Sequence, residues 1–262
     1  MGKVREAVIL AAGLGTRLRT VTNSVPKFLL RIKGKPLITY PMHSLMKIGI
    51  KRFIIVVSKG WGNEVSNVIS KSIGHYADLE IVENPEVERE NGYSLILGSR
   101  YVNDEYFILS MSDHIYVPQI PYKLIELSSR LTNEVIMAVG ADRDPKYVDV
   151  SEATKIDVDD DGYVRSIGKS IANYKYVDVG VFLVSRRIKD LEHQLLKSYT
   201  IRVSDIVNMF VKLGYKVLAV DVTGYPWTEV DTPRDLDELI NGYRSVVLDY
   251  VRRSIEVGIS WS

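Results

Sequence analysis

Apolar residues in this chain fall in short unbroken runs, separated by longer stretches where they recur every three or four positions. The runs Val8-Ile9-Leu10-Ala11-Ala12, 52–57, 79–82, 106–111 and 134–139 predict buried strands. Residues 37–48 carry apolar side chains at helical spacing and stop at Gly49, which predicts a helix there. Strands alternating with amphipathic helices predict an α/β fold with a mostly parallel central sheet flanked by helices, whose ligands gather at the carboxyl ends of the strands. Further along, residues 153–158 and 163–167 flank the acidic turn Asp159-Asp160-Asp161-Gly162 and predict a hairpin. Strand character returns at 177–184 and 216–222, and residues 235–257 read as one helical segment. The tail, 243–261, places Val246, Val247, Tyr250, Val251 and Ile255 at helical spacing beside Arg252-Arg253, a face expected to pack on the protein's own core. The chain carries no repeat, linker or low-complexity tract.

Composition narrows this picture. A length of 262 residues suits one α/β domain spanning 1–262 with a sizeable core. The 34 Lys and Arg and 33 Asp and Glu are well mixed, so no basic stripe is available for nucleic acid, and acidic partners are expected to be small. Cysteine is absent, which excludes disulfides, thiolate metal sites and a cysteine nucleophile. No apolar run approaches the ~18 residues of a membrane span, and a cytoplasmic location is the default expectation. Only two glutamines occur, Gln119 and Gln194, beside abundant Lys, Arg, Glu, Val, Ile and Tyr, the drift expected of a heat-adapted protein.

The first run leads into Gly13-Leu14-Gly15-Thr16-Arg17 and, further on, Pro26-Lys27. Glycines directly after a buried strand let the backbone turn and present N–H groups to phosphate oxygens, and Arg17 and Lys27 add fixed positive charge. A Walker A loop would place Lys and Ser or Thr after the last glycine, and the dinucleotide fingerprint would place glycine where Leu18 stands, so neither motif fits. Ser112-Asp113-His114 follows the apolar run 106–111, which puts Asp113 at a strand's carboxyl end. A carboxylate there suits Mg²⁺, which needs only one or two protein carboxylates beside phosphate oxygens and water. Its partner is expected to be Asp231, just before a helix with Thr232 as N-cap and Pro233 at its first position. Lys169 follows a glycine with no acidic neighbour, which leaves its ammonium available for a phosphate. Asp178 interrupts the apolar strand Val177-Asp178-Val179-Gly180, where a carboxylate needs a partner or a ligand. Glu152 and Lys155 are close enough in sequence to pair with each other, and Arg143 and Arg202, either of which could make a structural ion pair, receive no role, and neither does His114.

Residues 10–17 with Pro26-Lys27, Ser112-Asp113-His114 and 227–233 together resemble the nucleotidyltransferase superfamily that makes sugar nucleotides, over nearly the whole chain. Within it, Asn91-Gly92-Tyr93-Ser94-Leu95, 111–116, Asp142-Arg143-Asp144-Pro145, 147–155, Ile167-Gly168-Lys169 and 177–180 are most similar to the CTP:inositol-1-phosphate cytidylyltransferases. The resemblance implies a Rossmann-like nucleotidyltransferase fold with a small β subregion for the acceptor. Gly13, Leu14, Gly15 and Thr16 would wrap the triphosphate, with Lys27 at the α-phosphoryl group and Arg17 at the departing pyrophosphate. Leu10, Ala12 and Ser112 would border base and ribose, with Asn91 and Gly92 against the base. Asp113 and Asp231 would hold Mg²⁺. Lys169 would take the acceptor phosphate, and Glu152, Thr154, Lys155 and Asp178 would grip the polyol.

The implied reaction joins CTP to myo-inositol 1-phosphate, giving CDP-inositol and pyrophosphate. In the family that product feeds an inositol-phosphate osmolyte of heat-loving cells. Many members are fused to a membrane synthase, of which this sequence carries nothing, so partnership with a separate synthase is expected. Other readings keep the fold but change the acceptor to a hexose 1-phosphate or phosphocholine, or change the base. A silent regulator that only binds a nucleotide sugar is a further alternative, against which the joint presence of Arg17, Lys27, Asp113 and Asp231 argues.

Overall fold

The computed structural model describes residues 4–256 apart from 14, 19–24, 75, 130 and 133. In chain order the strands are β1 (Glu6–Ala11), β2 (Arg31–Ile32), β3 (Lys35–Pro36), β4 (Arg52–Ser58), β5 (Asp78–Asn84), β6 (Tyr106–Met111), β7 (His114–Tyr116), β8 (Val135–Asp142), β9 (Lys155–Val158), β10 (Val164–Gly168), β11 (Tyr176–Ser185), β12 (Lys216–Asp221) and β13 (Trp227–Glu229). The α-helices are α1 (Thr39–Lys47), α2 (Gly62–Ile73), α3 (Asn91–Ser99), α4 (Gln119–Leu127), α5 (Glu192–Leu195), α6 (Val203–Lys212), α7 (Pro233–Ile240) and α8 (Ser245–Glu256).

Strand β1 is buried over its whole length and pairs in parallel with β4 on one edge and β6 on the other. From there the sheet runs β12, β8, β11, β6, β1, β4, β5, and every strand in that row points the same way except β11. The mostly parallel sheet expected from the sequence is therefore present, with one antiparallel strand let into it. Past the end of β6, the edge of β11 is taken over by β9, and the β9–β10 hairpin turns at Gly162 as the acidic turn predicted.

Alternation along β1 sends Ala7, Ile9 and Ala11 to one face and Val8 and Leu10 to the other. The first face packs apolar residues of α1, α2, α4, α7 and α8, and the second packs those of α3, α5 and α6. Each fully buried aliphatic side chain contributes about 1.5–3 kcal/mol.

Two departures from the sequence reading bear on the site. The expected helix 235–257 is broken: α7 ends at Ile240, the chain turns through residues 241–244, and α8 starts afresh. Apolar spacing continues across that turn because both helices bury one face, and Arg244 draws the turn inward by pairing back to α7. Of the face expected to pack on the protein's own core, Val247 and Val251 are buried and Val246 and Ile255 partly so, while Tyr250 is exposed and Leu248 is buried in addition. The second difference is the short antiparallel ribbon of β7 and β13, absent from the sequence reading. Three residues per strand leave no readable period. No helix among the described residues is long and apolar enough to cross a membrane.

Candidate active site

The site grows from the carboxyl ends of β1 and β6. The Ser112 N–H donates to the Leu10 carbonyl at 3.1 Å, which locks the two loops that leave these strands. In the first loop Gly15 adopts φ +55°, and a Cβ there would stand 3.1 Å from the Lys27 Cβ, so the glycine permits both the turn and the close approach of Lys27. Leu18, fully buried, anchors the turn that presents Arg17 to solvent, and buried Phe28 and Leu29 pin the turn that begins with Lys27. On the second loop, Asp113 is followed by β7. Pairing of Glu229 with His114, and a Val230 N–H donating to the Asp113 carbonyl at 3.2 Å, bring Asp231 alongside Asp113.

Lys27 closes the arrangement. Its Nζ donates to Asp113 Oδ2 at 2.5 Å and to Asp231 Oδ1. Burial by itself would lower the Lys27 ammonium, but the two carboxylates outweigh it and hold it above the ordinary lysine value. Burial likewise pushes Asp113 upward, and Lys27 with His114 more than reverses that, leaving it well below the usual carboxylate range. His114 Nδ1–H donates to Asp113 Oδ1 at 2.7 Å while Nε2 lies 3.4 Å from Glu229 Oε2. These acids overcome the cost of burying the imidazolium and raise its pKa to about 9. The ring stacks on Trp227, with centroids 6.1 Å apart and planes 7° from parallel, and the Trp227 indole N–H is held by Asp142 at 2.7 Å. Burial pushes Glu229 up to about 7.

Two carboxylates from separate loops thus converge on one cation. Among the described residues no group of three or more acids or imidazoles could enclose a metal by itself. An open pair of this kind fits Mg²⁺, which takes its remaining ligands from phosphate oxygens and water.

The remaining expected residues fall into several groups. Ala12 is buried at the end of β1, and Gly13 and Thr16 border the same loop; Leu14 lies outside the described residues. Arg17 pairs across the site with Glu152 at 3.8 Å, both half exposed, so Glu152 does not pair with Lys155. A cleft of about 40 Å³ lies between these two and Glu229 and Asp231. Lys155 Nζ instead donates to the carbonyls of Ser151, Ala153 and Lys169, which ties the loop before β9 to the end of β10. Lys169 itself is exposed, with no ion pair among the described residues, as the sequence implied. The Thr154 carbonyl accepts from the Asp178 N–H, and the Asp178 carboxylate accepts from the Gly180 N–H at 2.8 Å. Burial raises the Asp178 pKa to about 6. Asn91 and Gly92 are bound to the start of α6, Asn91 Oδ1 accepting from the Val203 N–H and the Gly92 N–H donating to Ile201. Arg143 and Arg202, to which the sequence assigns no role, pair with Asp221 at 2.9 Å and with Glu90 at 3.6 Å. A larger cavity of about 440 Å³ lies between α1 and α8 and shares none of these residues. Sequence reasoning gave no role to His114, Glu229 or Trp227, although all three lie inside the motifs Ser112-Asp113-His114 and 227–233.

Across residues 6–245 the chain matches the model of the nucleotidyl transferase family. The protein belongs to that family. It is therefore read as an enzyme of nucleotidyl transfer, and the resemblance stated from its motifs holds. Curated relatives include proteins named "Bifunctional IPC transferase and DIPP synthase" from Aquifex aeolicus, 32% identical over 90% of this chain and 51% of that protein, and from Archaeoglobus fulgidus, 36% identical over 89% and 43%. The chain spans about half the length of these relatives. Among solved structures it is similar to the inositol-1-phosphate CTP transferase from T. maritima, with a TM-score of 0.83 and 32% identity over 99% of both chains.

Proposed function

We propose that this protein transfers a cytidylyl group from CTP to myo-inositol 1-phosphate in a Mg²⁺-dependent reaction, giving CDP-inositol and pyrophosphate. The observation that carries nucleotidyl transfer is Lys27 seated between Asp113 and Asp231 at the strand ends, above a glycine loop. The choice of substrates is supported by the likeness to the T. maritima inositol-1-phosphate CTP transferase.

An oxygen of the acceptor phosphate attacks the α-phosphorus of CTP, a new oxygen–phosphorus bond forms, and the bond to the β-phosphate oxygen breaks, releasing pyrophosphate. The acceptor is already anionic, so no general base and no covalent enzyme intermediate are needed. Lys27 stabilises charge at the α-phosphoryl group, and Arg17, swinging from Glu152, meets the departing pyrophosphate. Asp113 and Asp231 would hold a divalent ion, which would supply further neutralisation of the phosphate charge. Leu10, Ala12, Gly13, Gly15, Thr16 and Ser112 border the nucleotide, with Asn91 and Gly92 toward the base. Lys169 receives the acceptor phosphate, and Glu152 and Thr154, on a loop that Lys155 holds in shape, face the polyol together with Asp178 of β11.

The test is pyrophosphate release with CTP, Mg²⁺ and myo-inositol 1-phosphate, beside glucose 1-phosphate, phosphocholine and the other nucleoside triphosphates. Turnover confined to CTP with inositol phosphate is expected. Turnover with another pair would keep the catalytic residues and discard these substrates, and nucleotide binding without turnover on any acceptor would leave a regulator.

A further inference from the structure

Arg244 lies in the connection between α7 and α8 with its side chain only 3% exposed. A guanidinium stays charged at any accessible pH, so its burial requires acceptors. The charge is met from α7: Nη1 donates to Asp235 Oδ1 at 2.8 Å, and Nε, which donates to the Tyr243 hydroxyl at 3.5 Å, lies 2.9 Å from Glu238 Oε2 as an ion pair. Asp235 divides its carboxylate between two tasks. While Oδ1 takes Arg244, Oδ2 accepts from the backbone N–H of Asp231 at 3.0 Å, the N–H of Thr232 at 2.8 Å and the Thr232 hydroxyl at 2.8 Å. The acid that faces Lys27 is thus held by its own amide, through a carboxylate that a buried arginine fixes.

Helix capping alone does not call for this. Thr232 and Asp235 already form a reciprocal capping box, a device that works at exposed helix ends. The additional contact goes to Asp231, one residue before the cap, and the additional holder is Arg244. Buried ion pairs add little net stability once desolvation is counted, so the consequence of this one is orientation. The β7–β13 ribbon ends where Val230 reaches the Asp113 carbonyl, and Asp231 is the first residue beyond it.

We propose that Arg244 is a positioning residue: acting through Asp235, it fixes the Asp231 backbone and so sets the Asp231 carboxylate opposite Asp113. The proposal rests on the reading that these two carboxylates hold the divalent cation.

Its test uses Mn²⁺ as the probe, titrated into the protein with saturating CTP and no acceptor and followed by electron paramagnetic resonance, beside thermal melting and the metal dependence of turnover. Arg244→Met is expected to weaken Mn²⁺ binding about 10-fold, the scale of losses from groups that orient metal ligands, and to raise the half-saturating divalent concentration equally, with the acceptor KM unchanged. Val251→Ala, a packing change in α8, is expected to lower the melting temperature alone. Wild-type Mn²⁺ affinity in Arg244→Met, or equal weakening in Val251→Ala, would overturn the proposal. Should Arg244→Met fail to fold, Asp235→Asn decides, and wild-type affinity there overturns it equally. Asp231→Asn separates the two readings. Wild-type affinity in that variant removes the metal-site assignment itself, whereas loss there with unchanged affinity in Arg244→Met removes only the positioning role.

Discussion

Lys27 holds together two carboxylates that would repel each other without it. Replacing it with alanine removes a preorganised cation from the place where charge develops, and turnover is expected to fall by about 100-fold or more with folding retained. Pyrophosphate release by Lys27→Ala measures this, and near-normal turnover would remove Lys27 from the chemistry. Asp178 shows the opposite balance, a half-buried carboxylate that accepts from the Gly180 N–H. Its folded-state pKa of about 6 lies above the ordinary 3.8, so the folded protein holds that proton more tightly than the unfolded chain does. The stability this group contributes is complete below about pH 4 and is lost as pH rises through about 6. Asp178→Asn should flatten that part of the stability profile and stabilise the protein at pH 7 by on the order of 1–2 kcal/mol, while weakening acceptor binding. Melting curves from pH 4 to 8 decide the first outcome and acceptor KM the second.

At the scale of elements, the β7–β13 ribbon and the irregular stretch of β11 form one unit. Between Asp178 and Phe182 the register of β11 on β8 shifts, and Gly180 sits there at φ +70° beneath the His114 ring. A Cβ on Gly180 would come within 2.5 Å of His114 Cδ2, and His114 is what orients Asp113. Gly180→Ala is therefore expected to cost about 2–4 kcal/mol, from backbone strain and overpacking together, and to lower turnover by displacing Asp113. Denaturant melts and the metal dependence of turnover test the two effects. Unchanged stability would mean that the ring and the strand separate more readily than their contact implies.

For the whole molecule, the decisive property is that the acidic pair is already satisfied by a side chain of the protein itself. Chelation of divalent ions is accordingly expected to abolish turnover and leave the melting temperature unchanged, whereas a melting temperature that falls with the chelator would mark a structural metal. CTP with Mg²⁺ should raise it, by about 2.7 kcal/mol of stability at a hundredfold excess over Kd. Much of this architecture is readable in the linear chain, because buried strands and amphipathic helices write their periods locally. The runs at 8–12, 52–57 and 106–111 place the parallel core, Gly49 and Gly162 place turns, and Thr232 with Pro233 announces α7. Asp113 and Asp231 stood out because each borders such an element, and Lys27 because it follows a glycine loop that calls for positive charge. Their meeting is a different matter. It depends on a ribbon of three-residue strands too short to show a period, and on an arginine whose burial follows from a turn that helical spacing runs straight through. Local chemistry determined which residues are available, and long-range packing alone decided that Lys27 lies between the two acids, that Lys155 serves backbone carbonyls, and that Arg244 reaches Asp231 through Asp235.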